Sequence, residues 1–298
     1  MISFKPEVAV IIPVHGRSIL LKRAIKSVYR QSYTNFKIVV IDDCSPTPIT
    51  KHLDSESFQN LFIIRRDING GAGAARNTGI RAVDTELIAF LDSDDFWTPN
   101  KLEIQVSAFL REVDITPECE GIVSGFFVHK LHRSREIVKQ RIPDPISDPM
   151  CLVEGCNVSP GSTLLVRRGI FNKVGYFDET LPRFEDWDWL IRASKISKIA
   201  VCQTLLSHIN VGNRVGLDVV NQSCEVIQKR YESTFREMGM VCRRRFLSTL
   251  DFERAVAAWS VGGKIASVKF LLKSIIHFPE GSLKKLHRVF RALLSGLS

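Results

Sequence analysis

Three groups of carboxylates in this chain stand at spacings that could do chemistry. Asp92, Ser93, Asp94 and Asp95 place three acids within four residues, directly after the apolar run Leu87 to Leu91. Like charges this close repel, so the cluster is costly unless water or a cation sits among them. Hard carboxylate oxygens suit Mg²⁺ or Mn²⁺, and such an ion can bridge diphosphate oxygens. The competing reading is a solvated acidic loop that caps the next helix; the position at a strand end favours the metal.

Asp42 and Asp43 follow a second apolar run, with Ser45 behind them. They could accept hydrogen bonds from a base or ribose, or they could close a turn or cap a helix. The third group is the densest: Arg183, Phe184, Glu185, Asp186, Trp187, Asp188 and Trp189. An aromatic ring beside a carboxylate can stack on a sugar and raise the acid's basicity by desolvation, which suits a general base. Both tryptophans could instead belong to the core of a helix running to Ala193. Between these groups, Asn69, Gly70, Gly71 and Gly73 lead into Ala74, Ala75 and Arg76, so glycine amides at a helix start could approach a phosphate. The glycines could also form a simple tight turn, while Arg76 could point at a ligand or pair with a nearby carboxylate. As a dinucleotide fingerprint the run fails, because Arg76 stands where the third glycine belongs and the run does not follow the first strand.

The elements that must hold these groups alternate. Val8 to Ile12, Phe36 to Ile41, Leu61 to Ile64 and Leu87 to Leu91 read as buried strands. Ile19, Leu21, Ile25 and Val28 mark an amphipathic helix among cations, and a second helix covers Gly70 to Val83. This order predicts an α/β fold with a single mostly parallel, Rossmann-like sheet flanked by helices, binding its ligands beyond the carboxyl ends of the strands. Residues from about 115 to 175, rich in proline at 143, 145, 149 and 160, read as loops around an acceptor-facing surface. From 228 the pattern turns helical, and a last amphipathic helix carries Leu283, Leu286, Phe290 and Leu293 on one face. Such a helix could rest on an anionic membrane or pack on its own domain.

The net charge of +9 arises behind the acidic motifs. Residues 1 to 227 hold 27 basic and 27 acidic side chains, and residues 228 to 298 hold 14 and 5. The basic balance therefore describes the tail and says little about the ligand of the first domain. The seven cysteines, whose one close pair is Cys151 and Cys156, lack zinc or redox spacing and read as reduced thiols. The longest apolar runs fall far short of the roughly 20 residues that cross a bilayer. The first residues lack the basic-then-apolar order of a secretory leader, so a cytoplasmic location is expected.

Taken together, the segments VAVIIPVHGR at 8 to 17, IDDCS at 41 to 45, NGGAGAARNTGI at 69 to 80, LDSDDFWTPNKL at 91 to 102 and FEDWDWLIRA at 184 to 193 resemble glycosyltransferase family 2 in content and order. The resemblance implies the GT-A fold over a catalytic domain at 1–215, with a basic helical region at 216–298. It implies an inverting, non-processive glycosyltransferase that takes a sugar from a nucleotide-diphosphate sugar, a UDP-sugar favoured, to a glycan or lipid-linked acceptor. The product would be a cell-surface polysaccharide or lipopolysaccharide, made at the inner face of the membrane. Asp186 would be the catalytic base. Glu185, Trp187, Gly161 and Ser162 would face the acceptor. Pro13, Asp43, Arg76, Asp92 and Ser93 would bind the nucleotide sugar. A divalent cation, Mn²⁺ or Mg²⁺, would sit at Asp94 and Asp92, with His208 as a third ligand.

Two departures stand out. Asn210 occupies the register where the family more often has His, and the Gln-x-x-Arg-Trp signature of processive synthases is missing. A nicotinamide dehydrogenase would need glycines after the first strand and has no use for three acids at 92 to 95. A nucleic-acid-binding protein led by the basic tail leaves the carboxylates unexplained, so no nucleic-acid partner is expected. A sugar-nucleotide binder without turnover is the remaining alternative.

Overall fold

A computed structural model describes residues 5–53, 58–132, 135–211 and 215–280. The chain divides into two compact units, one of Met1–Pro149 with Cys156–Gly212, the other of Met150–Gly155 with Asn213–Ser298. The short segment Met150–Gly155 groups with the helical unit, which no shift in composition announces. The amphipathic helix read at Leu283, Leu286, Phe290 and Leu293 lies outside the described residues.

The first unit opens with β1 (Val8–Val14), α1 (Ser18–Tyr29), β2 (Phe36–Asp42), β3 (Leu61–Arg65), α2 (Gly71–Arg81) and β4 (Leu87–Phe90). Every residue of β1 is buried, as expected of a strand covered by helices on both sides. These strands pair in parallel in the order β3-β2-β1-β4. Pairing of β1 with β4 covers only Val8 to Ile11, so Pro13 lies past the end of that ladder and its missing N–H costs no bond on that side.

Next come β5 (Phe96–Trp97), α3 (Lys101–Ile115), β6 (Cys119–His132) and β7 (Arg135–Arg141). The unit closes with α4 (Pro160–Thr163), β8 (Leu165–Arg167), α5 (Ile170–Val174), α6 (Glu185–Ala193) and β9 (Lys198–Asn210). The sheet continues from β4 through β8, β6, β9 and β5, with β8 and β5 antiparallel to their neighbours and β6 parallel to β9. The stretch read as loops thus holds the longest strand, β6. Its first eight residues are buried on both faces, so no alternation marks them, and Gly121 and Gly125 interrupt the apolar run. The prolines fall after it, in the irregular segment before β8.

Behind the sheet, Phe90, Phe171, Phe177 and Trp189 stack against one another at ring separations of 5.2 to 6.3 Å and seat α6 beside β4. Asp188, fully buried, holds Arg192 by two bonds of 2.9 and 2.8 Å, and Arg192 donates to the carbonyls of Val174 and Tyr176. This pins one face of α6 and leaves its first turn for the crevice.

In the second unit, α7 (Leu217–Glu237), α8 (Met240–Ser260) and α9 (Lys264–His277) form successive helical hairpins, turning at Gly239 and at Gly262–Gly263. Phe235 and Phe246 meet at 4.5 Å, and Ser248 and Ser274 share a buried hydrogen bond of 2.9 Å. No described helix is long and apolar enough to cross a membrane.

Candidate active site

The two acids after β2 do different things. Asp42 is buried and accepts the N–H groups of Ser45 (2.9 Å) and Ile49 (3.1 Å) and Nη1 of Arg65 (2.5 Å). Burial alone would raise its pKa, but these bonds outweigh it and hold the carboxyl below its usual range. Asp42 is a turn residue. Asp43 caps α2: it accepts the N–H groups of Gly70 (3.1 Å) and Gly71 (2.7 Å) and Nη1 of Arg66 (2.6 Å). Gly71 has φ +81°, which its lack of a Cβ makes cheap. The amides that the glycine run was expected to offer a phosphate are thus taken by Asp43.

After β4 the chain turns at Asp92–Asp95. Asp95 is buried and holds the loop from beneath, accepting Ser162 Oγ (2.6 Å) and the Asn210 N–H (2.8 Å). Burial, and next the charge of Asp92, push its pKa up to about 8. Ser162 Oγ also accepts the Asp92 N–H (3.0 Å), and the Ser162 carbonyl accepts Trp97 Nε1 and Ser207 Oγ, each at 2.8 Å. Ser162, read as an acceptor contact, is therefore a buried brace. Gly161 has no room for a side chain: a Cβ there would lie 2.4 Å from Asp92 Oδ2 and 2.8 Å from Arg76 Nη2. Ser93 is buried as well.

A stability experiment separates Asp95 from its neighbours. Asp95→Ala orphans the buried Ser162 hydroxyl and the half-buried Asn210 N–H, at about 1 to 3 kcal/mol for a buried donor, so thermal unfolding should fall by several degrees. An unchanged melting temperature would remove the bracing role.

Arg76 joins the two halves of the crevice. Its guanidinium is buried, with Nη2 2.7 Å from Asp92 Oδ1 and Nη1 2.8 Å from Glu185 Oε1. Burial opposes its charge, but Asp92 and Glu185 more than restore it. Glu185 in turn is raised by burial and by Asp186, with Arg76 pulling the other way. Asp186, next along α6, accepts the Trp187 N–H at Oδ1 (2.7 Å) and faces the Cys156 thiol at Oδ2 (3.8 Å). Burial, then Asp186, push that thiol well up, so it stays protonated and donates. Trp187 is 1% exposed and its ring meets Phe184 edge to face, so the core reading of this tryptophan holds and it offers no open face to a sugar.

Asp94 lies in the crevice with Oδ2 2.5 Å from Nη1 of Arg17, and its carbonyl accepts Arg23 Nη2 and Asn210 Nδ2. Burial, then Asp92, raise its pKa. His208, expected as a third ligand, is held elsewhere. Its ring is stacked on Phe96 (4.3 Å) and Phe127 (4.6 Å), and its Nδ1 is 2.8 Å from His129 Nε2. Burial lowers its pKa to about 4. Among the described residues no three His, Cys, Asp or Glu side chains form a ligating group. The expected set of Asp92, Asp94 and His208 is therefore not assembled as such. What is present, two neighbouring carboxylates at a crevice, fits a cation of the Mg²⁺ type, which binds through one or two carboxylates and completes its shell with substrate phosphates and water.

Sequence reasoning passed over Arg17, Arg23 and Cys156. Arg17 had one signal, its place just past the carboxyl end of β1. A further signal is geometric: Cys44, Ser159 and Phe184 have φ of 56°, 48° and 67°, and each immediately precedes or follows a site segment. Strained backbone of this kind costs on the order of 1 to 3 kcal/mol and gathers at functional sites.

The family model described as Glycosyl transferase family 2 matches residues 9–175, more than half of the chain. An uncharacterized glycosyltransferase of Rickettsia felis is 26% identical over 249 residues, covering 79% of this chain and 40% of the relative. The succinoglycan biosynthesis protein ExoW of Rhizobium meliloti is 43% identical over 102 residues, or 32% of each chain. This chain thus spans well under two thirds of the length of these relatives. Among solved structures, S. aureus TarS 1-349 in complex with UDP-GlcNAc superposes with a TM-score of 0.61 at 18% identity, covering 93% of this chain and 82% of that one. The architecture, a curled α/β sheet followed by helices, is that of these GT-A neighbours.

Proposed function

Because this chain belongs to glycosyl transferase family 2, we propose that its first unit moves one sugar from a nucleotide-diphosphate sugar, a UDP-sugar favoured, to a hydroxyl of a glycan or lipid-linked acceptor. The observation that carries this reading is Arg76, which ties Asp92 of the donor-side loop to Glu185 of the α6 turn, 109 residues beyond Arg76 in sequence. A donor's leaving group and an acceptor's hydroxyl need such a meeting point.

In this reading Asp186 takes the proton of the acceptor hydroxyl as that oxygen bonds to the anomeric carbon. The bond from that carbon to the diphosphate breaks on the opposite face, so the configuration inverts and no covalent enzyme intermediate forms. A Mg²⁺ or Mn²⁺ held by Asp92 and Asp94 would supply positive charge against the departing diphosphate. Arg76 keeps the acids on either side of the reacting centre at fixed separation, which is the positioning that catalysis of this kind depends on. Asp43, already fixed by three donors, has lone pairs left for a donor on the base. Pro13 and Ser93 line the same strand ends. Gly161, Ser162 and Trp187 act from behind the surface, leaving Glu185 as the acid beside the acceptor.

The UDP preference draws on TarS, solved with UDP and with UDP-GlcNAc, and the polysaccharide setting on ExoW. Without the processive signature, one sugar per encounter is expected, at the inner face of the cell membrane. A thermal-shift screen of UDP-, GDP- and dTDP-sugars with and without Mn²⁺ tests the donor. A ligand at a hundred times its dissociation constant adds about 2.7 kcal/mol, so one nucleotide class should raise the melting temperature by several degrees. No shift with any sugar nucleotide, in either condition, would overturn the reading.

A further inference from the structure

β7 pairs with β6 as an edge strand, every residue of it exposed, and beyond His129, where β6 stops pairing with β9, the two strands continue as a two-stranded arm. Phe126 pairs with Arg141, Val128 with Lys139, Lys130 with Ile137 and His132 with Arg135. Directly opposed residues share a face, and faces alternate along each strand. Lys130, Arg135, Lys139 and Arg141 therefore lie on one face. The acid of the arm, Glu136, lies on the other, hydrogen-bonded to His129 at 2.7 Å. Toward the distal end the arm also exposes large apolar side chains on both faces: Leu131 is 74% exposed, Val138 47% and Ile137 41%, with Ile142 at 50% just past its root. The root itself is tied to the donor site, since Phe127 and His129 hold the His208 ring, which stacks on Phe96 beside Asp95.

Charged residues on an edge strand commonly serve to prevent pairing with other strands. That purpose needs neither one sign of charge on one face nor bare leucine, isoleucine and valine. A soluble polyanion would match the cations and leave the apolar side chains unexplained. Cations beside exposed apolar residues suit the boundary between lipid headgroups and acyl chains, where a segment buries about 5 to 10 Å. At about 3.3 Å per residue, that depth takes two or three residue pairs, the extent of Leu131, Ile137 and Val138.

We propose that the distal end of the β6–β7 arm docks this protein on an anionic lipid bilayer, its apolar residues entering the headgroup boundary and its cations meeting lipid phosphates. The inference deepens the reading of a lipid-linked acceptor, since it brings the donor site to the surface where such an acceptor lies.

The test is flotation of the full chain, its C-terminal region intact, with vesicles of phosphatidylglycerol and phosphatidylcholine and with phosphatidylcholine alone. The native chain should float with the anionic vesicles. Lys130→Gln/Lys139→Gln should weaken partitioning about fivefold per cation, an effect that fades as salt rises. Leu131→Gln/Ile137→Gln should weaken it at every salt concentration. Flotation of both variants like the native chain would overturn the proposal and point to another segment. So would failure of the native chain to float, or loss confined to the lysine variant, which marks a purely electrostatic surface for a polyanion. Melting temperature and the donor-induced thermal shift, read on the same proteins, keep a folding defect or a wrong donor assignment distinct from failure of the arm.

Discussion

Replacing Asp186 by Asn is expected to lower transfer by on the order of 10² to 10⁴, the usual worth of a positioned base, while donor binding survives. The amide oxygen can still accept the Trp187 N–H that Oδ1 holds at 2.7 Å, so the first turn of α6 should keep its shape. What the amide cannot do is take the acceptor's proton. Trp187 is buried against Phe184, so the backbone that aims position 186 is anchored independently of the carboxylate's charge. Single-turnover transfer rates and donor dissociation constants for the native and variant proteins check the expectation. Unchanged turnover would remove Asp186 from the base role, and loss of both quantities together would make its role structural.

The second large effect is expected at Asp94. Asp94→Ala should remove metal-dependent donor binding and transfer together, abolishing the Mn²⁺-dependent part of the thermal shift. The partner left behind, Arg17, is 52% exposed and can turn to water, so little stability should be lost. This is the reverse of Asp95→Ala, which should cost stability first because the carboxylate and its Ser162 partner are buried. Titrating donor into each variant with and without Mn²⁺, alongside transfer assays in excess EDTA, separates the two. Full activity in EDTA, or native metal-dependent donor binding by Asp94→Ala, would refute a cation at this loop.

The contrast between Asp94 and Asp95 illustrates what local sequence cannot express. Both are acids in one four-residue turn, yet one faces the crevice and the other supports Ser162 and Asn210 from below. Asp42 and Asp43 divide in the same way, one closing a turn and the other capping α2. In each pair the role depends on which donors arrive: Ser45 and Ile49 close by for Asp42, and segments tens of residues away for Asp43 and Asp95. The buried Lys101 is a further case: its ammonium sits 3.6 Å from the Trp97 ring centroid and meets no hydrogen-bond acceptor among the described residues. A lysine at a helix start gives no warning of full burial.

Sequence alone determined the order of the first four strands and the helices between them, because β-branched runs such as Val8 to Ile12 and the periodic apolar face of α1 act within a few residues. It also determined the family, because the acidic, glycine and aromatic segments keep their order along the chain. Only the tertiary structure decided which of those acids are free to work. Arg76 was open to a ligand or a carboxylate until Asp92 and Glu185 closed on it, and His208 was an open ligand until Phe96, Phe127 and His129 enclosed its ring. The β6–β7 arm escaped notice for a related reason: the buried half of β6 lacks alternation because both faces are covered, and the outer half mixes cations with apolar residues that enter no core. Desolvation and hydrogen-bond saturation are properties of neighbours in space, and those neighbours come from segments up to 116 residues apart.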